Sequence, residues 1–180
     1  QESCDNKILM DLMRSALIAA NDDVTNRVPG GGTTLTALLL IGSNAIVGHV
    51  GDSRAYMVDS GKLLQLTKDH SLVQKLYDLG EIASTGIENH PRRNILLRAV
   101  GQSDILEVDV SEQYVESGSI FLLCTDGLWG CVEEEDILTI MMDSSDLQEA
   151  CDNLTKEANR AGGLDNITSL IVKYDYGNSK

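Results

Sequence analysis

At 180 residues the chain is long enough for one ordinary domain with a substantial core, and its 42% apolar content argues against extended disorder. A formal net charge of −14 argues against a nucleic-acid partner, whose phosphates would be repelled, yet it is compatible with carboxylates gathered around cations. No apolar stretch approaches the length of a membrane span and the start shows no signal-peptide pattern, so a cytoplasmic protein with no membrane partner is expected.

Ile8, Leu9, Leu12, Met13, Ala16, Leu17 and Ala20 recur at the spacing of one helix face. Asn21-Asp22-Asp23 weakens that helix, and a loop is expected through Pro29 and three glycines. Strand patterns follow at residues 33–41, 45–50, 55–58 and 63–67, joined by short turns rich in Gly, Asn, Asp and Ser. Four such strands in succession predict an antiparallel meander.

Residues 71–79 place Leu72, Val73, Leu76 and Leu79 on one helical face, with Gly80 to close the C-terminus. Residues 81–93 hold no sustained period and are expected to form a mobile surface segment. Strands are expected again at 106–110 and 120–124, the latter almost wholly apolar and so a buried central strand. A short helix over 134–142 comes next. Ser145 and Gln148 form a capping-box signature for another helix, which turns Leu147, Cys151, Leu154 and Ala158 inward. A last strand covers 167–174. Strands in runs and helices in runs define an α+β class, with helices packed on antiparallel sheet.

Cys4, Cys124, Cys131 and Cys151 form no C-x-x-C pair and have no His at zinc spacing, so reduced thiols are expected. The chemistry lies with three aspartates instead. Asp126 follows the apolar strand in Thr125-Asp126-Gly127-Leu128, Asp165 sits in Gly163-Leu164-Asp165-Asn166, and Asp52 sits in Gly51-Asp52-Ser53-Arg54. Each is a hard oxygen donor at a strand end, the type of ligand that suits magnesium or manganese. Taken alone, each is better read as the cap of a turn or helix, and only the combination favours a metal site. His70 suits a capping and hydrogen-bonding role, His49 reads as a satisfied interior residue, and His90 falls in the segment without period.

Further motifs recur in order: Gly32-Thr33-Thr34-Leu35, then Gly51-Asp52-Ser53-Arg54-Ala55-Tyr56, then Leu66-Thr67-Lys68-Asp69-His70-Ser71. His90-Pro91 with Asn94, Thr125-Asp126-Gly127-Leu128 and Gly163-Leu164-Asp165-Asn166-Ile167-Thr168 complete the series. Together they resemble the metal-dependent type 2C protein serine/threonine phosphatases, particularly bacterial members. The resemblance implies an antiparallel β-sandwich flanked by helices, formed by residues 1–180 as one catalytic domain, with about 71–100 as a flap. It implies hydrolysis of phosphoserine and phosphothreonine in proteins by a metal-activated water. Two Mn²⁺ or Mg²⁺ ions are implied, with Asp126 and Asp165 as ligands and Asp52 on a possible third. Phosphoprotein substrates of a serine/threonine kinase and a monomeric state are expected.

One departure stands out. The family's Asp-Gly-x-Gly-Gly-His motif and its phosphate-binding Arg do not occur between Gln1 and Thr33. The N-terminal strands that carry them are therefore expected to be missing from this chain, and the general acid with them, so no catalytic residue is assigned beyond the metal ligands. The alternative is a catalytically inactive phosphatase-like module with a binding or regulatory role.

Overall fold

The structure is a computed structural model that describes residues 6–87 and 90–176. Cys4 lies outside the described residues. The architecture is α+β, as expected, with two antiparallel sheets that each carry helices. Contacts group the chain into two compact units, Gln1–Asp52 with Lys68–Tyr114 and Ser53–Thr67 with Val115–Lys180.

The first unit holds α1 (Asn6–Arg27), β1 (Leu35–Ile41), β2 (Asn44–Val50), α2 (Leu72–Asp78) and β5 (Asp109–Tyr114), with strand order β1-β2-β5. Helix α1 buries Leu9, Met13, Leu17 and Asn21 at four-residue spacing, against Ile46, Val50, Val100 and Val108. Gly48 makes this approach possible, because a Cβ there would meet the Met13 side chain at 2.6 Å. Ile8 and Leu12, expected on the inward face, are exposed.

The second unit holds β3 (Arg54–Asp59), β4 (Lys62–Gln65), β6 (Ser119–Cys124), α3 (Asp126–Trp129), α4 (Glu134–Asp143), α5 (Leu147–Arg160) and β7 (Ser169–Tyr174). Its strand order is β4-β3-β6-β7, which makes β6 the buried central strand that its apolar run predicts. Leu128, Ile137, Met141, Leu154 and Ala158 from the helices pack with Tyr56, Leu122, Cys124 and Ile171 of the sheet. Each fully buried Leu or Ile here contributes about 1.5–3 kcal/mol. Cys124, Cys131 and Cys151 are free thiols, the first of them buried.

Several expectations are corrected. The first four strands are not one meander: β1 and β2 pair in one sheet, β3 and β4 in the other, and the chain leaves the first sheet at Gly51-Asp52-Ser53. Helix α1 does not weaken at Asn21. That side chain is buried, donates to the Ser103 carbonyl at 2.9 Å and accepts from the Gly101 N–H at 2.8 Å, so tertiary bonds override local propensity. The strand expected at 106–110 forms later, at Asp109–Tyr114, because Leu106 and Val108 pack against the α1 core rather than joining the ladder. Helix α2 buries only Val73, and Leu79 is 63% exposed. The cap of α5 is Asp146, which accepts from Glu149 N–H at 2.8 Å, while Glu149 reaches back to the Ser145 N–H at 2.8 Å. The box lies one residue beyond the Ser145–Gln148 pair. Among the described residues, no helix is long and apolar enough to cross a membrane.

Candidate metal centre

Strand β6 ends at Cys124, and the chain turns at once into the single turn of α3, whose first residue is the half-buried Asp126. Across the ladder, Cys124 pairs with Ser169 at the start of β7, so the turn before β7 lies beside the turn after β6. Three hydrogen bonds tie these turns together. Thr125 N–H donates to the Thr168 carbonyl at 3.2 Å, Thr125 Oγ1 donates to the Asn166 carbonyl at 3.0 Å, and Thr168 N–H donates to Thr125 Oγ1 at 3.0 Å. Gly127 completes the fit: a Cβ there would collide with the Asn166 carbonyl oxygen. Asp126 and Asp165 each neighbour a residue of this tie, so the structure brings both to one end of the β6–β7 pair.

Asp165 is exposed, and its Oδ1 accepts from the N–H of the next residue, Asn166, at 2.7 Å, a local bond that orients the carboxylate. Its Oδ2 has no hydrogen-bond partner among the described residues. Hard carboxylate oxygens presented at a solvent-facing strand end fit Mg²⁺ or Mn²⁺, which keep several waters and take few protein ligands. Among the described residues, no group of three or more His, Cys, Asp or Glu side chains is gathered to hold an ion. Asp52 is carried by the first unit, half-buried in the bend after β2.

Two features escaped the sequence reading. The Arg54 guanidinium lies 3.6 Å from the centroid of the Trp129 ring and donates to the Tyr56 hydroxyl at 3.1 Å. It thereby braces the far end of α3, the helix that Asp126 begins. Burial raises the Tyr56 hydroxyl above its ordinary range, and Arg54 opposes that rise only in part. The second feature is a histidine cluster. His49, expected to be satisfied, is buried and bonds Thr36 Oγ1 through Nδ1 at 2.9 Å, yet among the described residues its Nε2 makes no well-formed hydrogen bond and has only the Lys68 backbone beside the ring. His70 is also buried, and the cap of α2 is its neighbour Ser71, which accepts from the Gln74 N–H. His49 was legible as an interior group, whereas His70 was expected as a cap and hydrogen-bonding residue; that both are buried side by side needed the fold. His90 Nδ1 accepts from the Arg92 N–H at 3.1 Å in the expected flap.

Known proteins place this arrangement in a family. A match to the family described as Protein phosphatase 2C covers residues 2–76, and alignments to bacterial phosphatases extend over most of the chain. The chain belongs to the protein phosphatase 2C family. It is 38% identical over 169 residues to the serine/threonine phosphatase stp of Listeria monocytogenes, covering 94% of this chain and 66% of that protein. The serine/threonine phosphatase of S. agalactiae superposes with a TM-score of 0.86 at 32% identity, covering 95% of this chain and 73% of the other. The catalytic domain of the phosphatase PstP, solved with 2 manganese ions, gives a TM-score of 0.82 at 31% identity over 97% and 73%. The chain spans less than two thirds of the length of the curated relatives it matches, 66% of the Listeria protein and 58% of another.

Proposed function

We propose that this chain provides part of the catalytic domain of a metal-dependent phosphatase acting on phosphoserine and phosphothreonine in proteins, residues 71–100 forming its flap. The observation that carries this reading is the Thr125–Asn166–Thr168 tie, which delivers Asp126 and Asp165 to one sheet end as preorganised oxygen donors. Asp126 and Asp165 hold divalent cations, Mn²⁺ or Mg²⁺, two in number, and Asp52 serves a third. Such ions supply Lewis-acid stabilisation of a phosphoryl group and a nucleophilic water at neutral pH. The chain's own contribution is positional: the Asn166 N–H bond to Asp165 and the braced α3 hold the carboxylates in place before any ligand arrives, which limits the reorganisation needed for catalysis. The buried histidines of the first unit are hydrogen-bonded scaffold, and neither is assigned a proton-transfer role.

The substrates are phosphoproteins made by a serine/threonine kinase, and the protein acts as a cytoplasmic monomer. The reading is tested by phosphate release from a phosphothreonine peptide by the full-length protein in Mn²⁺. Activity that a chelator abolishes and Mn²⁺ restores is expected. Tight retention of the peptide with no turnover would overturn the enzyme assignment in favour of a phosphopeptide-binding role.

A further inference from the structure

Gly51 forms the peptide that leads into Asp52, and one residue holds it from both sides. The Gly51 N–H donates to His70 Nδ1 at 3.1 Å, and the Gly51 carbonyl accepts from the His70 N–H at 2.7 Å. Gly51 itself has φ +115, and Thr34 occupies the place a Cβ would need, so only glycine fits the bend. Because Nδ1 accepts from a backbone N–H, the proton of the neutral imidazole lies on Nε2, which donates to Asp109 Oδ2 at 3.1 Å; Arg98 Nη1, 3.2 Å from the same Nε2, is a donor facing a donor and directs its own bond to Asp109. Arg98 donates to the other carboxylate oxygen at 2.9 Å and pairs with Glu107 at 2.7 Å. The His49 ring, 4.8 Å away between centroids, backs the imidazole, whose side chain is 6% exposed.

We propose that His70 is a positioning residue for Asp52. The series Glu107, Arg98, Asp109 and His70 fixes one tautomer and one ring orientation; the ring fixes the Gly51 N–H, and the His70 backbone N–H fixes the Gly51 carbonyl of the peptide that leads into Asp52. Both hydrogen-bonding directions of the imidazole are thereby used, one for the bend and one for its own support. This inference rests on the reading of Asp52 as a ligand of a divalent ion. Its physical logic is that of outer-shell partners in metal sites generally, which orient a ligand without touching the ion and whose loss weakens binding.

The test compares His70→Gln, His70→Asn and Asp52→Asn in the full-length protein, with two readouts that do not require turnover. One is hydrogen exchange at the Gly51 amide, and the other is Mn²⁺ binding followed by the electron paramagnetic resonance of the free ion. Gln places its amide near the Nε2 position and keeps the Asp109 contact, leaving the Gly51 N–H without an acceptor. Asn places its carbonyl oxygen near Nδ1 and retains the bond to Gly51. The Gln variant is expected to speed Gly51 exchange and to weaken the ion that Asp52→Asn removes by about 10-fold or more. The Asn variant restores most of both. Equal effects of Gln and Asn, or unchanged Gly51 exchange in the Gln variant, would overturn the proposal while leaving the Asp52 assignment standing. If Asp52→Asn leaves the Mn²⁺ isotherm unchanged, the ligand reading fails and the proposal falls with it. Should neither His70 variant fold, Asp109→Asn at a half-exposed side chain carries the same test, since it weakens the support of the ring. Faster Gly51 exchange with weaker Mn²⁺ binding supports the proposal, and no change in either refutes it.

Discussion

Buried in β2 with no well-formed hydrogen bond at Nε2, His49 is the side chain whose ionisation the fold most strongly opposes. Burial, and then the neighbouring His70 ring, lower its pKa to about 4, although Asp69 and Asp109 act the other way. In the unfolded chain the value returns to about 6.5. Between those values the unfolded state binds a proton that the folded state excludes, so stability is full above about pH 6.5 and is lost as pH falls toward 4. The loss reaches about 3 kcal/mol. Asp109 works in a lower window. Partial burial would raise its carboxyl, but the bonds and charges of His70 and Arg98 outweigh that and lower it, so its contribution fades only as pH falls below the ordinary aspartate value of 3.8. His49→Leu removes the first effect and not the second. Its urea midpoint is expected to change little between pH 7 and pH 5, whereas the parent's falls; parallel declines would exclude His49 as the cause. Asp126→Asn belongs to the same scale. It removes the charge of a proposed ligand without core volume, so turnover of the full-length protein is expected to fall roughly 100-fold or more. Stability measured without metal is expected to change by less than about 1 kcal/mol, and turnover at the parent's level would refute the ligand role.

Elements near the site are held by caps and pairings that local patterns reveal only in part. Strand β6 was legible because an unbroken apolar run is what a central strand needs on both faces. Helix α3 was not, because a single turn offers no period to detect, and its support comes from Arg54 on another strand. The same limit explains α1, where Asn21 reads as a helix breaker until its long-range bonds to residues 101 and 103 are known. It also explains β5, whose start is set by pairing with β2 rather than by its own composition, which is mostly polar. At α5 the capping signature was recognised one residue early, because Ser145 and Asp146 are both good caps and only the observed bonds choose between them. Asp146→Ala is expected to cost about 1 kcal/mol in chemical denaturation, while Ser145→Ala costs less, because the Ser145 N–H still bonds Glu149. Equal costs for the two would return the cap to Ser145. At α3, Arg54→Met keeps much of the packing volume and removes the charge over Trp129. It is expected to lower Mn²⁺ affinity in the full-length protein while leaving the β3–β6 pairing intact, a combination visible in a metal titration alongside the far-ultraviolet circular dichroism.

Neither compact unit is continuous in sequence, since each is assembled from two separate stretches. That is why no linker composition marks a boundary, and why β5 and β6, close neighbours in the chain, enter different sheets. Asp126 and Asp165, nearly forty positions apart, were legible as candidates one by one; what brings them to one end of the sheet is the β6–β7 register, which no local window contains. At the scale of the whole molecule the dominant quantity is the net charge of −14, which opposes compaction by self-repulsion. Cations can therefore stabilise the fold by screening, and the proposed metal centre adds a second, separable route by site binding. Screening depends on ionic strength and is indifferent to Asp126→Asn, apart from the one charge removed. Site binding follows mass action and adds about 2.7 kcal/mol when Mn²⁺ stands at 100 times its dissociation constant. Unfolding of the full-length protein in Mn²⁺, compared with potassium chloride of matched ionic strength, is expected to show an excess stabilisation by Mn²⁺. That excess should fall sharply in Asp126→Asn and in Asp165→Asn, because each removes an anionic donor from the proposed site. An equal gain in the two salts would reduce the carboxylates at the end of β6 and β7 to general acidity, and the metal centre would lose its thermodynamic support.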